Sequence, residues 1–404
     1  MSLSEAAISY CTNVHAGRTV AEVDSGLDEF TVKVREQSGR PLAAGLWLAR
    51  SVVSELLAED GAVERFRDRL IERDLPCYTL NTFPFGDFHS ERVKENVYLP
   101  DWSTKARRQY TVDCATVLAS LLPEGVEGSM STLPLGGRMN TPDDPANFHQ
   151  NCFQQLVQTA QSLKAIFEET GKLIRLAVEP EPCCEMSSIP DQAVPLFRRL
   201  REYAADQNAL DEVNRYIGLC FDVCHQAVEF EDVAASIDLL VENEIRINKV
   251  HISNAIELQN PETNLEGRSA LVRFVEPRYL HQTFAKTSDG RLLTRTDLES
   301  KDVLRQPSDY TDFDRVPAWR VHFHVPVNAE ELGPLKTTRT ELRRAISRVE
   351  KLDYAPHLEI ETYTWEVLPD GKFVELVTGL CQEIEATHEL LAEARNRDAG
   401  DCSP

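Results

Sequence analysis

Short runs of β-branched and aromatic residues alternate with longer stretches in which apolar residues recur every three or four positions, and this alternation continues to the C-terminus. The short runs read as strands and the longer stretches as helices with one apolar face, so the pattern predicts successive βα units. The first run is Ile8 to His15, and Pro41, a residue suited to a first helical turn, opens the helix after it. The second, Cys77 to Phe83, leads to a helix from about Asp101 on which Ala106, Tyr110, Cys114, Val117 and Leu121 share a face. The third, Gly128 to Leu133, precedes Gly136-Gly137 and a helix marked by Cys152, Leu156, Ala160, Leu163 and Phe167.

Leu173–Val178, Tyr216–Cys220 and Ile247–Ile252 are the fourth, fifth and sixth runs. The seventh, Arg320–Val325, follows an irregular insertion over 257–317 that carries a hairpin-like Ser288-Asp289-Gly290 turn. The eighth is His357–Thr362, and a last helix from about Phe373 to Glu393 turns Leu376, Leu380, Ile384 and Leu390 inward, with 396–404 as a frayed tail. Eight βα units predict an α/β fold, a single (β/α)8 TIM barrel over 1–404 with an insertion between strands six and seven.

The chain's 404 residues would allow two or three domains, but eight units and one insertion account for the length as one. With 43 basic against 66 acidic residues the formal charge is −23, which opposes binding to phosphate backbones, and the basic residues are scattered. No window approaches 18 uninterrupted apolar residues, and the N-terminus has neither a basic nor an apolar signal region, so a cytoplasmic protein without membrane insertion is expected. Cys11, Cys77, Cys114 and Cys220 lie in apolar runs as small hydrophobes, and neither Cys183-Cys184 nor Cys220-x3-Cys224 matches a structural zinc motif.

Active sites of such barrels sit at the carboxyl ends of the strands. Polar residues concentrate there: His15 after strand one, Asp87 and His89 after strand two, Glu179 and Glu181 after strand four, and Asp222 and His225 after strand five. His251 ends strand six, His322 and His324 strand seven, and Glu359 and Glu361 strand eight. A lone strand-end histidine is usually a satisfied polar residue, but Glu179, Asp222, His251 and Glu361 occur jointly. Inward carboxylates in a dry barrel cost several kcal/mol unless paired or metallated. The set therefore predicts a divalent cation, Mn²⁺, Mg²⁺, Co²⁺ or Zn²⁺.

The segments Val178-Glu179-Pro180-Glu181-Pro182, Phe221-Asp222-Val223-Cys224-His225, Val250-His251-Ile252 and Ile360-Glu361-Thr362 resemble the xylose isomerase-like TIM-barrel superfamily of sugar isomerases, ketose 3-epimerases and endonuclease IV. More narrowly, Tyr10-Cys11-Thr12-Asn13-Val14-His15, the run Phe83 to His89 and Glu359-Ile360-Glu361-Thr362-Tyr363-Thr364-Trp365 resemble the EboE metabolite-traffic family. That resemblance implies a sugar or cyclitol substrate. The superfamily resemblance implies Glu179, Asp222, His251 and Glu361 as metal ligands and His225 as a substrate hydrogen-bonding histidine. Isomerases of the xylose type carry a lysine two residues after the first Glu; Glu181 stands there instead, leaving carbonyl polarisation to the metal or to Lys94.

The expected reaction is an isomerisation or epimerisation through a metal-stabilised enediolate, with Glu179 and Glu361 as base and acid and His225 holding a neighbouring oxygen. His15, His89 and His324 are candidates for substrate hydrogen bonds, with His15 and His324 also candidates for a second metal, while Glu359 and His322 one layer deeper read as a buried hydrogen-bonded pair. Arg138 is a candidate for a phosphate or carboxylate against the plainer reading of a solvated loop residue, and Tyr98 and Trp102 for an apolar substrate face. Two further readings are a zinc phosphoesterase acting on a small ester, which the surplus histidines favour, and a non-catalytic cyclitol carrier. No segment marks an interface, although barrels of this group often form oligomers.

Overall fold

In the computed structural model, which describes residues 7–15, 17–140, 144–369 and 375–401, seven parallel strands follow one another: β1 (Ile8–Cys11), β2 (Leu42–Trp47), β3 (Thr79–Asn81), β4 (Gly128–Thr132), β5 (Ile174–Val178), β6 (Ile217–Asp222) and β7 (Ile247–Ile252). Six short strands come next: β8 (Ile256–Gln259), β9 (Thr283–Lys286), β10 (Leu292–Arg295), β11 (Ala318–Val321), β12 (Glu331–Leu332) and β13 (Leu335–Thr337). The last strand, β14 (His357–Ile360), inserts between β7 and β1 and closes the barrel in the order β1-β14-β7-β6-β5-β4-β3-β2. The fold is the expected (β/α)8 barrel. Its strands are buried on both faces, which is why they read as short apolar runs rather than alternating ones.

Two strand assignments differ from expectation. Leu42–Trp47 is strand β2, not a helix opened by Pro41. Ala, Leu and a preceding Pro favour a helix locally, but the pairings Ile8↔Leu42 and Gly45↔Thr79 bury the segment between two strands. Arg320–Val325 is not a barrel strand. Of it, only Arg320 and Val321 belong to β11, and the rest runs as irregular chain back to the barrel mouth. The insertion accordingly lies between the seventh and eighth barrel strands and spans β8 to β13 rather than 257–317. It is an antiparallel sheet, ordered β10-β9-β11-β8-β13-β12, that includes the expected hairpin, closed where Gly290 N donates to Thr287 O at 2.9 Å.

This sheet has its own apolar cluster, centred on Trp319 with Leu258, Leu271, Phe274, Ala285 and Phe313. Beneath it Arg268 is buried against the Trp319 ring and pairs with Asp314 at 2.6 Å. Around the barrel, the helices Lys105–Leu121 and Pro145–Thr170 bury the expected faces, capped by Thr104 and Asp144, although Ala106 is exposed and Phe167 only half-buried. The last helix is Leu376–Asp401, so the tail expected at 396–404 is helical to Asp401; its last three residues, and Phe373, lie outside the described residues.

The barrel interior is not wholly apolar. Lys249 on β7 and Glu359 on β14 form an ion pair at 2.6 Å, with both side chains fully buried. Lys249 Nζ also donates to Leu80 O at 3.3 Å and Ser131 Oγ at 3.2 Å, and Ser9 Oγ donates to Glu359 Oε2 at 3.3 Å. Gly45 makes room for the pair: a Cβ there would fall 2.6 Å from Tyr10 O and closer still to the Glu359 carboxylate. The polar layer above this pair is the candidate site.

Candidate metal centre

Four consecutive members of the barrel wall, β5, β6, β7 and β14, deliver Glu179, Asp222, His251 and Glu361 to one point. These are barrel strands five to eight, not four, five, six and eight, because Leu42–Trp47 is itself a barrel strand and Arg320–Val325 is not. Register does the placing. Asp222 pairs with His251 across β6 and β7, Glu359 pairs with His251 across β14 and β7, and Glu361 lies on the same face one pleat higher. One ligand atom from each of the four lies within 4.8 Å of the others. His251 Nδ1 stands 3.1 Å from Glu179 Oε1, 3.1 Å from Glu361 Oε2 and 3.4 Å from Asp222 Oδ2.

Neighbouring side chains hold these groups. Glu361 Oε1 accepts from Asn13 Nδ2 at 3.0 Å and Asn81 Nδ2 at 2.9 Å. Asp222 Oδ1 accepts from Ser253 Oγ at 2.7 Å and, as a helix cap, from His225 N at 3.0 Å. Glu179 Oε2 and Asp222 Oδ2 are buried with no hydrogen-bond partner. His251 Nε2 lies 3.4 Å from Glu359 Oε1, so the buried ion pair sits directly behind the imidazole.

Charge is tightly balanced here. Burial opposes a cationic His251, yet the surrounding acidic groups outweigh it and hold its pKa well above the ordinary imidazole value. Burial pushes Glu179 up to about 7. For Glu361 and Asp222 burial is outweighed by the neighbouring histidines, and both are held below the usual carboxylate range. Three carboxylates around one imidazole, with two oxygens lacking partners, form a donor set that fits a divalent cation.

A cavity of about 60 Å³ opens onto this cluster. Glu179, Glu181, His225, His322 and Glu361 line its polar side, and Phe83, Phe88, Val97, Tyr279, Leu280 and Tyr363 cover it from the loops after β3 and β14 and from the inserted sheet. Glu181 accepts from Tyr98 OH at 2.7 Å, and burial pushes its carboxyl well up. Lys94 also lines the cavity, its ammonium paired with Asp297. His324 lies against the cluster, its Nδ1 donating to Glu361 O at 2.7 Å.

Three of the expected polar site residues lie away from both the cavity and the cluster. His15 turns behind the barrel wall, its Nε2 3.1 Å from Tyr10 OH and its ring on Phe30. His89 packs near Trp47 and bonds Asn13 O at 2.8 Å, bracing the loop that presents Asn13. Arg138 lies in a separate groove with Cys183 and Glu229. Trp102 is buried, donating to Thr132 Oγ1 at 3.1 Å, whereas Tyr98 does line the cavity. Glu359 is buried as expected, but it pairs with Lys249 and not with His322, which lines the cavity and faces Gln282 Oε1 at 2.7 Å; sequence reasoning missed Lys249 along with Asn13, Asn81 and Ser253. Lys249 and Glu359 each precede a candidate ligand by two residues, a signal that was present.

No protein-family model matches the chain, and no curated protein matches it. Among solved structures, that of an L-ribulose 3-epimerase is similar, with a TM-score of 0.53 and 12% identity over 98% of each chain. A D-allulose 3-epimerase from Methylomonas sp. in complex with D-allulose follows at 0.48 and 12%, covering 95% of this chain and 96% of that one. An IolI protein with a bound zinc atom stands at 0.44 and 11%, covering 96% and 99%. At these identities the likeness speaks to architecture: the chain is a TIM barrel with the fold seen in L-ribulose 3-epimerase.

Proposed function

We propose that the protein is a divalent-metal-dependent isomerase or epimerase of a sugar or cyclitol, moving a proton at a carbon beside a carbonyl. The observation that carries this reading is the convergence of Glu179, Asp222 and Glu361 on His251 at the barrel mouth, beside a cavity and with two carboxylate oxygens unpartnered. These four residues would hold the cation, which when bound supplies Lewis acidity to substrate oxygens. Glu179 and Glu361 act as the acid–base pair. They come from β5 and β14, separated by β6 and β7, so they address the reacting carbon from different sides. The two asparagine amides fix one Glu361 oxygen and leave the carboxylate a single productive direction.

His225 donates its Nδ1–H to Pro180 O at 2.9 Å, so its Nε2 lone pair is available to accept from a substrate hydroxyl. The aromatic and aliphatic cover suits the C–H face of a sugar or cyclitol ring and keeps water from the proton in transit. The resemblance to the EboE family supports a substrate from a metabolite biosynthesis or traffic pathway, handled in the cytoplasm. The test is solvent exchange. In D₂O with Mn²⁺, one member of a panel of ketoses and keto-cyclitols is expected to take up deuterium at a single carbon adjacent to the carbonyl, read by NMR, with the epimer or isomer accumulating. Phosphoester hydrolysis is the second reading, favoured by the additional histidines His322 and His324 beside the cluster. Phosphate release from a small ester, with no exchange into any of the panel, would replace the first reading by the second.

A further inference from the structure

We infer that the mouth of the barrel opposite the metal centre binds a small hydroxylated oxyanion, a phosphate or carboxylate on a sugar-sized body. A cavity of about 390 Å³ opens there among the N-terminal ends of β3, β4, β5, β7 and β14, lined by Tyr78, Arg175, Arg246, Asn248, Tyr354 and His357. That volume lies within the range of small-molecule sites. Reactions of a (β/α)8 barrel take place at the carboxyl ends of its strands, so the groups gathered at this mouth are not part of the metal centre. They need a reason of their own.

Arg246, the residue before β7, carries the charge argument. Its guanidinium carbon sits over the Tyr354 ring, 3.8 Å from the centroid, and the Tyr354 hydroxyl is held in turn by accepting from Ile247 N at 3.0 Å. The guanidinium is thus held in place before a ligand arrives. Arg246 is half-buried, its Nε has no hydrogen-bond partner, and no carboxylate stands within 4 Å of it among the described residues. The two acidic residues of the cavity wall do not answer it. Glu127 pairs with Arg175, whose Nε donates to Arg215 O at 3.1 Å, and Asp353 is exposed. Burial, and then the neighbouring Arg175 guanidinium, press the Arg246 pKa below its ordinary value, while Glu127 and Asp353 act on it only from a distance. The planar fork of an arginine takes a carboxylate or a phosphate through two parallel hydrogen bonds, which would supply the missing counter-charge.

Strand β7 supplies a second, independent observation. Its pairing with β6 runs Leu219↔Ile247 and then Cys220↔Lys249, so Asn248 is the extra residue of a β-bulge, a device that re-aims a side chain. The Asn248 side chain passes over Gly218, where a Cβ would fall 2.4 Å from its Nδ2, and donates to Leu176 O at 2.9 Å. That bond fixes which way the amide faces. Oδ1 is left without a partner on a residue only 6% exposed, in the wall of the cavity. A buried acceptor without a donor is costly, and it stands two residues along the strand from the unmatched cation. Together they select a ligand that offers a hydroxyl as well as an anionic oxygen. Tyr354, and Tyr78 stacked on His357 with centroids 6.1 Å apart, add aromatic faces suited to the C–H side of such a body. The site shares no residue with the metal centre and does not depend on the reaction assigned above.

The test is calorimetric titration of the full-length protein, stripped of metal so that the carboxylates at the other mouth repel anions. The probes are D-glucose 6-phosphate and D-gluconate, with D-glucose as the uncharged control. At least one of the two anions should bind at one equivalent per chain, with glucose weaker by about tenfold or more, and the tighter anion tells phosphate from carboxylate. Arg246→Ala should weaken that anion by about tenfold or more, and Arg246→Lys, which keeps the charge but not the fork, should weaken it too. Arg138→Ala, in the separate groove with Cys183 and Glu229, should bind as wild type does. The wild-type titration stands even if a variant fails to fold. No binding of either anion, or glucose binding as tightly as both, would overturn the inference. Affinity retained in Arg246→Ala, or lost in Arg138→Ala, would place the anion elsewhere and refute it as well. Each of these results leaves the proposed function standing.

Discussion

Beneath the candidate centre, Lys249 and Glu359 neutralise one another out of reach of water, and the imidazole of His251 rests on that pair. Removing one partner of a buried ion pair leaves an uncompensated charge and costs about 3–5 kcal/mol. Lys249→Met should therefore lower the unfolding free energy by that amount, read from urea titrations, and adding Glu359→Leu should restore much of it; no recovery in the double variant would mean that the pair itself holds the barrel. Glu361→Gln should abolish solvent exchange and reduce cation affinity, because the amide keeps the shape but removes a ligand charge; an active variant would take Glu361 out of the acid–base pair. The ligand candidates were legible because a carboxylate or histidine at the end of an apolar run has no reason to be there in a plain core. Asn13 and Asn81 were not, since asparagine at a strand end is ordinary turn chemistry until its partner, Glu361, more than 250 residues away, is known. His15 and His89 carried the same signal as His251 and packed elsewhere, since position at a strand end does not say which way a loop turns.

At the level of elements, the count of eight strands survived two compensating errors, β2 read as helix and Arg320–Val325 read as barrel strand. A segment such as Leu-Ala-Ala-Gly-Leu-Trp has no period to distinguish strand from buried helix, so only its neighbours decide. Gly45 in that strand marks the difference. Helix propensity alone would favour alanine there, but the Cβ would intrude on Tyr10 O and Glu359. Gly45→Ala should destabilise the fold by about 1–3 kcal/mol, measured by chemical denaturation; a stabilised variant would argue that Glu359 is not where it is described. The inserted sheet was legible only as irregular chain with one turn, because its strands are two to four residues long and its core is assembled from loops and short helices around Trp319.

Across the whole molecule, the two mouths of the barrel are built differently. At the mouth opposite the cavity, His357 is hydrogen-bonded to Ser129 at 2.8 Å, and burial, reinforced by Lys249, depresses its pKa to about 4. Between the ordinary value of 6.5 and about 4 the unfolded chain binds this proton and the folded chain does not, so the contribution of neutral His357 is lost as pH falls through that window. Wild type should lose on the order of 3 kcal/mol relative to His357→Gln between pH 7 and pH 4, seen as diverging melting temperatures; parallel curves would place the ring in solvent. At the cavity mouth the cover is clasped. Lys94 pairs with Asp297, and the backbone N–H groups of Val93 and Lys94 both donate to Arg278 O at 2.9 Å, joining the loop after β3 to the inserted sheet over a space of about 60 Å³. Small-molecule sites run to about 300–1,000 Å³, so a ring-sized ligand needs more room than the clasped cavity provides. If the clasp sets the pace of entry, Lys94→Ala should speed ligand arrival and departure together in stopped-flow measurements, with little change in their ratio; unchanged rates would leave the clasp a purely structural tie between the loop and the insertion.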